Sequence, residues 1–366
     1  MLSRSAVRSY SSGSIKLTSR ESTGYLSNIS VVINNGGSRA GKSGLSHLFS
    51  KFSFLNTQNK SALRFTRESE LLGGIFSSKV TRDSIILNTQ FLKADLPYYV
   101  EALGNTLVNP AFRPHELSEI VLPAAKAEYQ QAITSNEFVG LESLHQISFR
   151  RGLGNGLYYN GTQPVTIDDI KQFSLEHVNN SNVAIFASGV NENDLTQFIN
   201  DSPLSQLPYG ASATNASELF LGQESRLAKS GESVALIGIP IKPSQFGQFE
   251  TLSVALGNSI VPNESSPLSQ INGANSHLYK YSDAGLFVVS VKGKAEDVAT
   301  NIKKVKALIE STKTSDAAKS TELSIALQSS FINPLTFKPD TTQPKITKFN
   351  YVAIGDIDVL PYASDL

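Results

Sequence analysis

The sequence predicts an α+β protein of two homologous halves, each a mainly antiparallel sheet packed against helices. Three observations carry that expectation. The chain has 366 residues, 40% of them hydrophobic, which is enough for two cores. A strand, a helix, a hairpin and further helices occur in one order in the first half and again in the second. Landmarks in that order keep a nearly fixed spacing: Val31 to Val234 is 203 positions and Asp95 to Asp297 is 202. The closing strand breaks the spacing, since Gly189 to Gly355 is only 166, so the second copy is contracted by about 37 residues.

The elements follow in order. ISVVINN (29–35) reads as a strand running into the turn GGSRAGKSG (36–44) and then a helix in GLSHLFSKFSF (44–54), whose Leu45, Leu48, Phe49 and Phe52 recur at helical spacing. Ser61 caps a helix that Gly73 and Gly74 stop. IFSSKV (75–80) and SIILNTQF (84–91) flank a tight turn at Thr81-Arg82-Asp83, and the alternation Ile85, Leu87, Thr89, Phe91 marks a half-buried hairpin strand. Helices are predicted over 96–108, over 114–133 with Pro114 at a first helical position, and over 136–150. The connection RGLGNGLYYNG leads to a Thr166-capped helix and the strand VAIFASG (183–189). YGASATNASEL (209–219) opens the linker, SVALIGIPI (233–241) repeats the first strand, and YVAIGDI repeats the closing one. The boundaries are therefore 1–20 for a targeting region, 21–208 for the first domain, 209–222 for the linker and 223–366 for the second.

The first twenty residues contain Arg4, Arg8, Lys16 and Arg20, many serines, no acid and no apolar run of secretory length, which is the composition of a mitochondrial presequence. The residues around Ser9 and Tyr10 resemble a matrix-protease context and put the mature start near Ser11. Composition excludes more than it suggests. Without cysteine there are no disulfides, thiolate zinc sites, iron–sulfur ligation or cysteine nucleophiles. With 32 basic and 32 acidic residues, no polyanion-binding surface is advertised, so nucleic acid is not an expected partner. The longest nearly apolar run, VALIGIPI, is under half of a bilayer span, so the chain is expected to have no transmembrane segment of its own.

Several patterns imitate chemistry. Gly36, Gly41, Lys42 and Ser43 fit G-x-x-x-x-G-K-[ST] between a strand and a helix, the setting of a phosphate-binding loop. A hairpin follows instead of a parallel strand, and no magnesium-binding aspartate closes a neighbouring strand, so a plain turn is expected. His47, Leu48, Phe49, Ser50 and Lys51 occupy the frame of an inverted zinc motif, H-x-x-E-H. Ser50 stands where the general base belongs and Lys51 where the second histidine belongs; an ammonium cannot donate to zinc. These three are the degenerate motif positions, with no catalytic, cofactor-binding or metal-ligating residue expected. His115, Glu116, Glu119 and His145 read as helix-end residues, and Gly152, Gly154 and Gly156 as a fragment of a dinucleotide loop with the wrong spacing.

The duplicated unit, GLSHLFSKFSFLNT, RESELLGG with its hairpin, RGLGNGLYYNG and the ending NYVAIGDIDVLPYASDL resemble the pitrilysin-type, processing-peptidase-like family over nearly the whole chain after the presequence. The resemblance implies a distal acidic metal ligand on the helix that here reads VLPAAKAEYQQA (121–132). The aligned place falls on Pro123 to Ala125, with Glu128 the nearest acid, so that ligand is expected to be missing too. SIVPNESSPLSQINGANS (259–276) stands where presequence-selecting relatives carry a glycine-rich loop and holds one glycine. Within the family, the likeness is to the fungal core proteins of ubiquinol–cytochrome c reductase, respiratory complex III. It implies a non-catalytic structural subunit of a dimeric complex, peripheral on the matrix side of the mitochondrial inner membrane and without a cofactor. Its implied role is to support assembly and dimer stability, with core protein 1, cytochrome b and other complex III subunits as partners. The alternatives are a matrix metallopeptidase or processing-peptidase subunit and, more remotely, an NTPase.

Overall fold

The computed structural model describes residues 15–211 and 216–366. Arg4, Arg8 and the expected mature start near Ser11 lie outside the described residues. The chain divides into two compact units, Met1–Tyr129 with Gly156–Asn215, and Gln130–Asn155 with Ala216–Leu366.

The first unit opens with β1 (Lys16–Arg20) and β2 (Leu26–Asn34), then α1 (Leu45–Phe52), α2 (Ala62–Leu71), the hairpin β3 (Ile75–Val80) and β4 (Ser84–Leu92), and α3 (Leu96–Val108). Ser61 caps α2 by accepting from the Arg64 N–H at 3.2 Å, as its sequence indicates. The predicted helix 114–133 is one helix with a widened turn: α4 (Pro114–Glu116), a π turn (Leu117–Val121) and α5 (Leu122–Ala132). Pro123 accounts for the widening, because its ring lacks an N–H and crowds the carbonyl of the preceding turn. After α5 the chain leaves for the second unit with α6 (Asn136–Phe149). It returns with α7 (Ile167–His177), β5 (Val183–Ser188) and α8 (Glu192–Asn200). The sheet order is β1-β5-β2-β4-β3, antiparallel except for β1 on β5. Val31 lies between Leu87 and Ile185 in register, and this face buries against Leu48 and Phe49 of α1, Tyr99 and Leu103 of α3, and Phe173 of α7.

The second unit continues with β6 (Glu224–Ala228), β7 (Ser233–Ile241), α9 (Phe246–Leu256), the hairpin β8 (Ala274–Lys280) and β9 (Gly285–Gly293), α10 (Ala295–Ser311), α11 (Ala318–Gln328) and β10 (Asn350–Gly355). Its sheet order, β6-β10-β7-β9-β8, repeats the first strand for strand, again with one parallel edge pair. All nine residues of β7 are buried. Ala235, Ile237 and Ile239 face α9 and α10, while Val234 and Leu236 face α6, so the longest apolar run of the sequence is a strand covered on both sides.

Two boundaries differ from the sequence reading. Lys16–Arg20, placed in the targeting region, pair with Ala184–Ser188 as an edge strand, so the folded unit begins upstream of residue 21. Helix α6, placed in the first domain, clusters with the second sheet. Gly140 lets it come close, since a Cβ there would lie 2.5 Å from Leu236, and Gly238 of β7 likewise makes room for Leu144. Asn350 anchors the other end, donating to Ser148 Oγ at 2.9 Å and to the Phe220 carbonyl at 2.7 Å.

Candidate functional site

Helix α1 forms because Leu45, Leu48, Phe49 and Phe52 make one apolar stripe for the first core. It starts at Gly44 with φ near 79°, a left-handed backbone packed against Tyr159. Off that stripe, His47 and Lys51 lie four residues apart on one face, with Ser50 beside them.

The structure brings both to one carboxylate. The His47 Nε2–H donates to Glu128 Oε2 at 2.8 Å, and the Lys51 ammonium pairs with the same oxygen. His47 Nδ1 accepts the Tyr159 N–H at 3.1 Å, which fixes the proton on Nε2. The ring is only 1% exposed and lies 4.8 Å from the ring of Tyr158. Burial above all pushes the imidazole below its ordinary pKa, and Lys51 adds to this against the pull of Glu128. Burial works to raise the Glu128 carboxyl, but hydrogen bonds from Lys51 and His47 outweigh it and leave the group below the usual carboxylate range. Ser50 Oγ donates to the His47 carbonyl at 2.7 Å, a local helix bond with no bearing on a water nucleophile.

The expected loss of the distal acid is overturned. Ala125 is buried in the core, and the widened turn ahead of α5 carries Glu128 round to face α1. Sequence reasoning named Glu128 but not its register; Pro123 inside a helix was the signal for the shifted face. The Tyr159 amide and the Tyr158 ring were missed, because a loop gives no periodicity to read.

The zinc that such a frame implies does not fit these residues. One imidazole and one carboxylate remain, the imidazole offers no free lone pair, and Lys51 puts a cation where a neutral donor belongs. Among the described residues, no group of three or more His, Cys, Asp or Glu side chains is placed to hold a metal ion.

The phosphate-loop pattern has another cause. Gly37 passes so close to the β3–β4 turn that a Cβ would sit on the Arg82 carbonyl and the Ser84 amide. Ser38 N–H and Arg39 N–H donate to the Thr81 and Arg82 carbonyls, and Arg39 pairs with Asp83 at 2.9 Å. Lys42 pairs with Asp169 at 2.6 Å, and Ser43 Oγ accepts the Gly156 N–H at 3.2 Å. The strand before the loop has antiparallel neighbours on both sides. Elsewhere, Glu116 is buried and accepts from the backbone of Asn56 and Arg113. His145 meets the Leu141 carbonyl at 2.7 Å and Tyr281 Oη at 2.6 Å. His115 and Glu119 are exposed, and Gly152–Gly154 form one short 3-10 turn.

Comparison with known proteins agrees with this geometry. Residues 16–161 match the family described as Insulinase (Peptidase family M16), and residues 164–327 match the Peptidase M16 inactive domain. The chain is 57% identical, over all of both chains, to the mitochondrial cytochrome b-c1 complex subunit 2 of Debaryomyces hansenii. It is 39% identical to the protein of that name from Saccharomyces cerevisiae, over 98% of each. A probable mitochondrial-processing peptidase subunit alpha-2 of Arabidopsis thaliana is 29% identical over 52% of this chain and 38% of its own. The structure of a peptidase M16 inactive domain from Pseudomonas fluorescens superposes with a TM-score of 0.80 over 96% of this chain and 98% of that one, at 13% identity, and so shares the fold. A chain with this duplicated α+β fold, with Ser50 and Lys51 in the motif frame, therefore belongs to the M16 insulinase-type peptidase family as a degenerate member.

Proposed function

We propose that the chain is a non-catalytic structural subunit of mitochondrial complex III, filling the place of subunit 2, the second core protein. The observation that carries this is the Lys51–Glu128–His47 cluster, in which the carboxylate is taken up by the Lys51 ammonium and the His47 Nε2–H, and the imidazole by Glu128 and the Tyr159 N–H. Its high identity to proteins named cytochrome b-c1 complex subunit 2 supplies the assembly. No helix among the described residues is long and apolar enough to cross a membrane, which supports a peripheral position. In this reading the chain lies on the matrix side of the inner membrane beside core protein 1 and cytochrome b, and contributes to assembly and to dimer stability without carrying electrons. The segment before Lys16 directs import. The test is affinity purification of the tagged chain from mitochondria in mild detergent: complex III subunits should co-purify, and removal of the chain should lower the amount of assembled dimer. Recovery as a lone, chelator-sensitive peptidase would return the matrix metallopeptidase reading.

A further inference from the structure

We infer that residues 315–336, with α11 at their centre, form a hinged lid of the second unit: they open together while the sheet, α9 and α10 stay folded, and opening brings the Glu250–Lys280 pair to solvent. This lid stands apart from the subunit assignment, which it neither needs nor alters.

Three observations carry it. First, α11 is attached by directed polar bonds rather than by apolar burial. Helix α10 buries Val298, Ile302, Val305 and Ile309 in the second core, whereas α11 buries only Ile325 among its apolar residues and turns Leu323 and Leu327 outward. Second, those bonds converge on one carboxylate of α9. Ser324 Oγ and Gln328 Nε2 donate to Glu250 Oε1, and the Lys280 ammonium donates to Glu250 Oε2 and to Gln328 Oε1. When the lid lifts, water takes the place of Ser324 and Gln328, while the ion pair, whose members lie on α9 and β8, stays whole. Exchanging protein hydrogen bonds for water costs far less than uncovering apolar surface, and hydration of a buried charge pair works in the same direction. Third, the segment is bounded by two anchors. Thr314 is buried and donates to the Thr341 carbonyl at 2.6 Å, and Gln343 donates to the Thr312 carbonyl at 3.1 Å, which ties the base of the loop. Phe337 packs on Phe246 with ring centroids 5.7 Å apart. Between these anchors and α11 the backbone of 315–317 and 329–336 is irregular, so both connections can swing while the anchors hold.

The experiment is hydrogen–deuterium exchange on the purified full chain, resolved to single amides by mass spectrometry, in buffer and in low urea. Amides 321–328, the buried Ser324 and Ile325 included, should exchange at one common rate, about 100-fold or more above that of α10, and urea should change that rate little because the opening exposes little surface. Removing the lid-side donors with Ser324→Ala and Gln328→Ala should raise the rate about tenfold further and leave α10, β7 and β9 unchanged. Should the double variant not fold, Gln328→Ala alone is read in the same way. Carbodiimide coupling of an amine should label Glu250 in the folded chain and leave Glu116, as deeply buried in the first unit, unlabelled. A gradient running in from the helix ends, with Ser324 and Ile325 no faster than α10, would overturn the lid. So would variants that speed α10 and α11 alike, or a Glu250 as resistant to coupling as Glu116.

Discussion

Lys42 and Gly37 show how far single residues were legible. Lys42 is half exposed and pairs with Asp169, which also accepts from Thr166 at the start of α7. These bonds, the lysine first, hold the Asp169 carboxyl down at about 2. The folded pKa lies below the unfolded one, so this contribution is present above about pH 4 and is lost as pH falls toward 2. Lys42→Ala should cost less than about 1 kcal/mol at neutral pH, flatten that acid limb in urea titrations, and leave complex III assembly unchanged. A melting temperature that ATP and magnesium raise in wild type and not in the variant would reinstate the phosphate loop. Gly37→Ala should cost more, about 1–3 kcal/mol by denaturant unfolding, because backbone on the facing hairpin must move. The degenerate frame at His47, Ser50 and Lys51 could be read from letters alone, since ligand chemistry is a property of side chains. That Glu128 faces them could not, because it depends on one widened helical turn.

At the scale of elements, the second unit contains a helix, α11, whose buried side is mostly polar, with Ile325 its one buried apolar residue. In α11, Thr321 and Ser324 are buried and Leu323 and Leu327 are exposed. Ser324 Oγ and Gln328 Nε2 donate to Glu250 Oε1 of α9 at 2.7 and 2.6 Å, while Lys280 of β8 meets Glu250 Oε2 at 3.0 Å. Glu250 is 1% exposed, and burial pushes the Lys280 ammonium below its ordinary pKa. Lys280→Met should cost about 3–5 kcal/mol, read as a lowered urea midpoint, because the carboxylate then stays buried without its cation. The double change with Glu250→Leu should recover part of that loss. Such an element defeats periodicity, and α11 was not predicted. The edge strands β1 and β6 were missed for a related reason: five residues at a half-exposed edge do not alternate. The β3–β4 hairpin, α3 and α7 were legible almost to the residue, whereas β2 begins three residues ahead of the strand read at 29–35.

For the whole molecule, the duplication holds as identical strand order in both sheets. The contraction falls after the helix that follows the hairpin: residues 109–182 in the first half correspond to 312–349 in the second, 74 residues against 38. The first half's surplus is partly on loan, because α6 lies within it and covers the second sheet. Replacing Arg4 and Arg8 by Glu should block import into isolated mitochondria, since the charge asymmetry of the leading segment is what the reading of it rests on. A fragment beginning at Ala216 should aggregate, with Val234, Leu236, Val288, Val352 and Ile354 uncovered, and a chain carrying 130–155 fused ahead of it should stay in solution on a sizing column.

The loan also has a clock. Helix α6 ends at Phe149, yet the sheet that receives Leu144 and Phe149 is complete only with β10 at Gly355. At a synthesis rate of about 5–20 residues per second, α6 waits roughly 10–40 s for its partner strands, and it comes first in any process that delivers the chain from its N-terminus. Throughout that interval its apolar residues have no native place to go, so the order of the sequence, rather than the strength of any contact, sets the moment at which this chain is most open to capture.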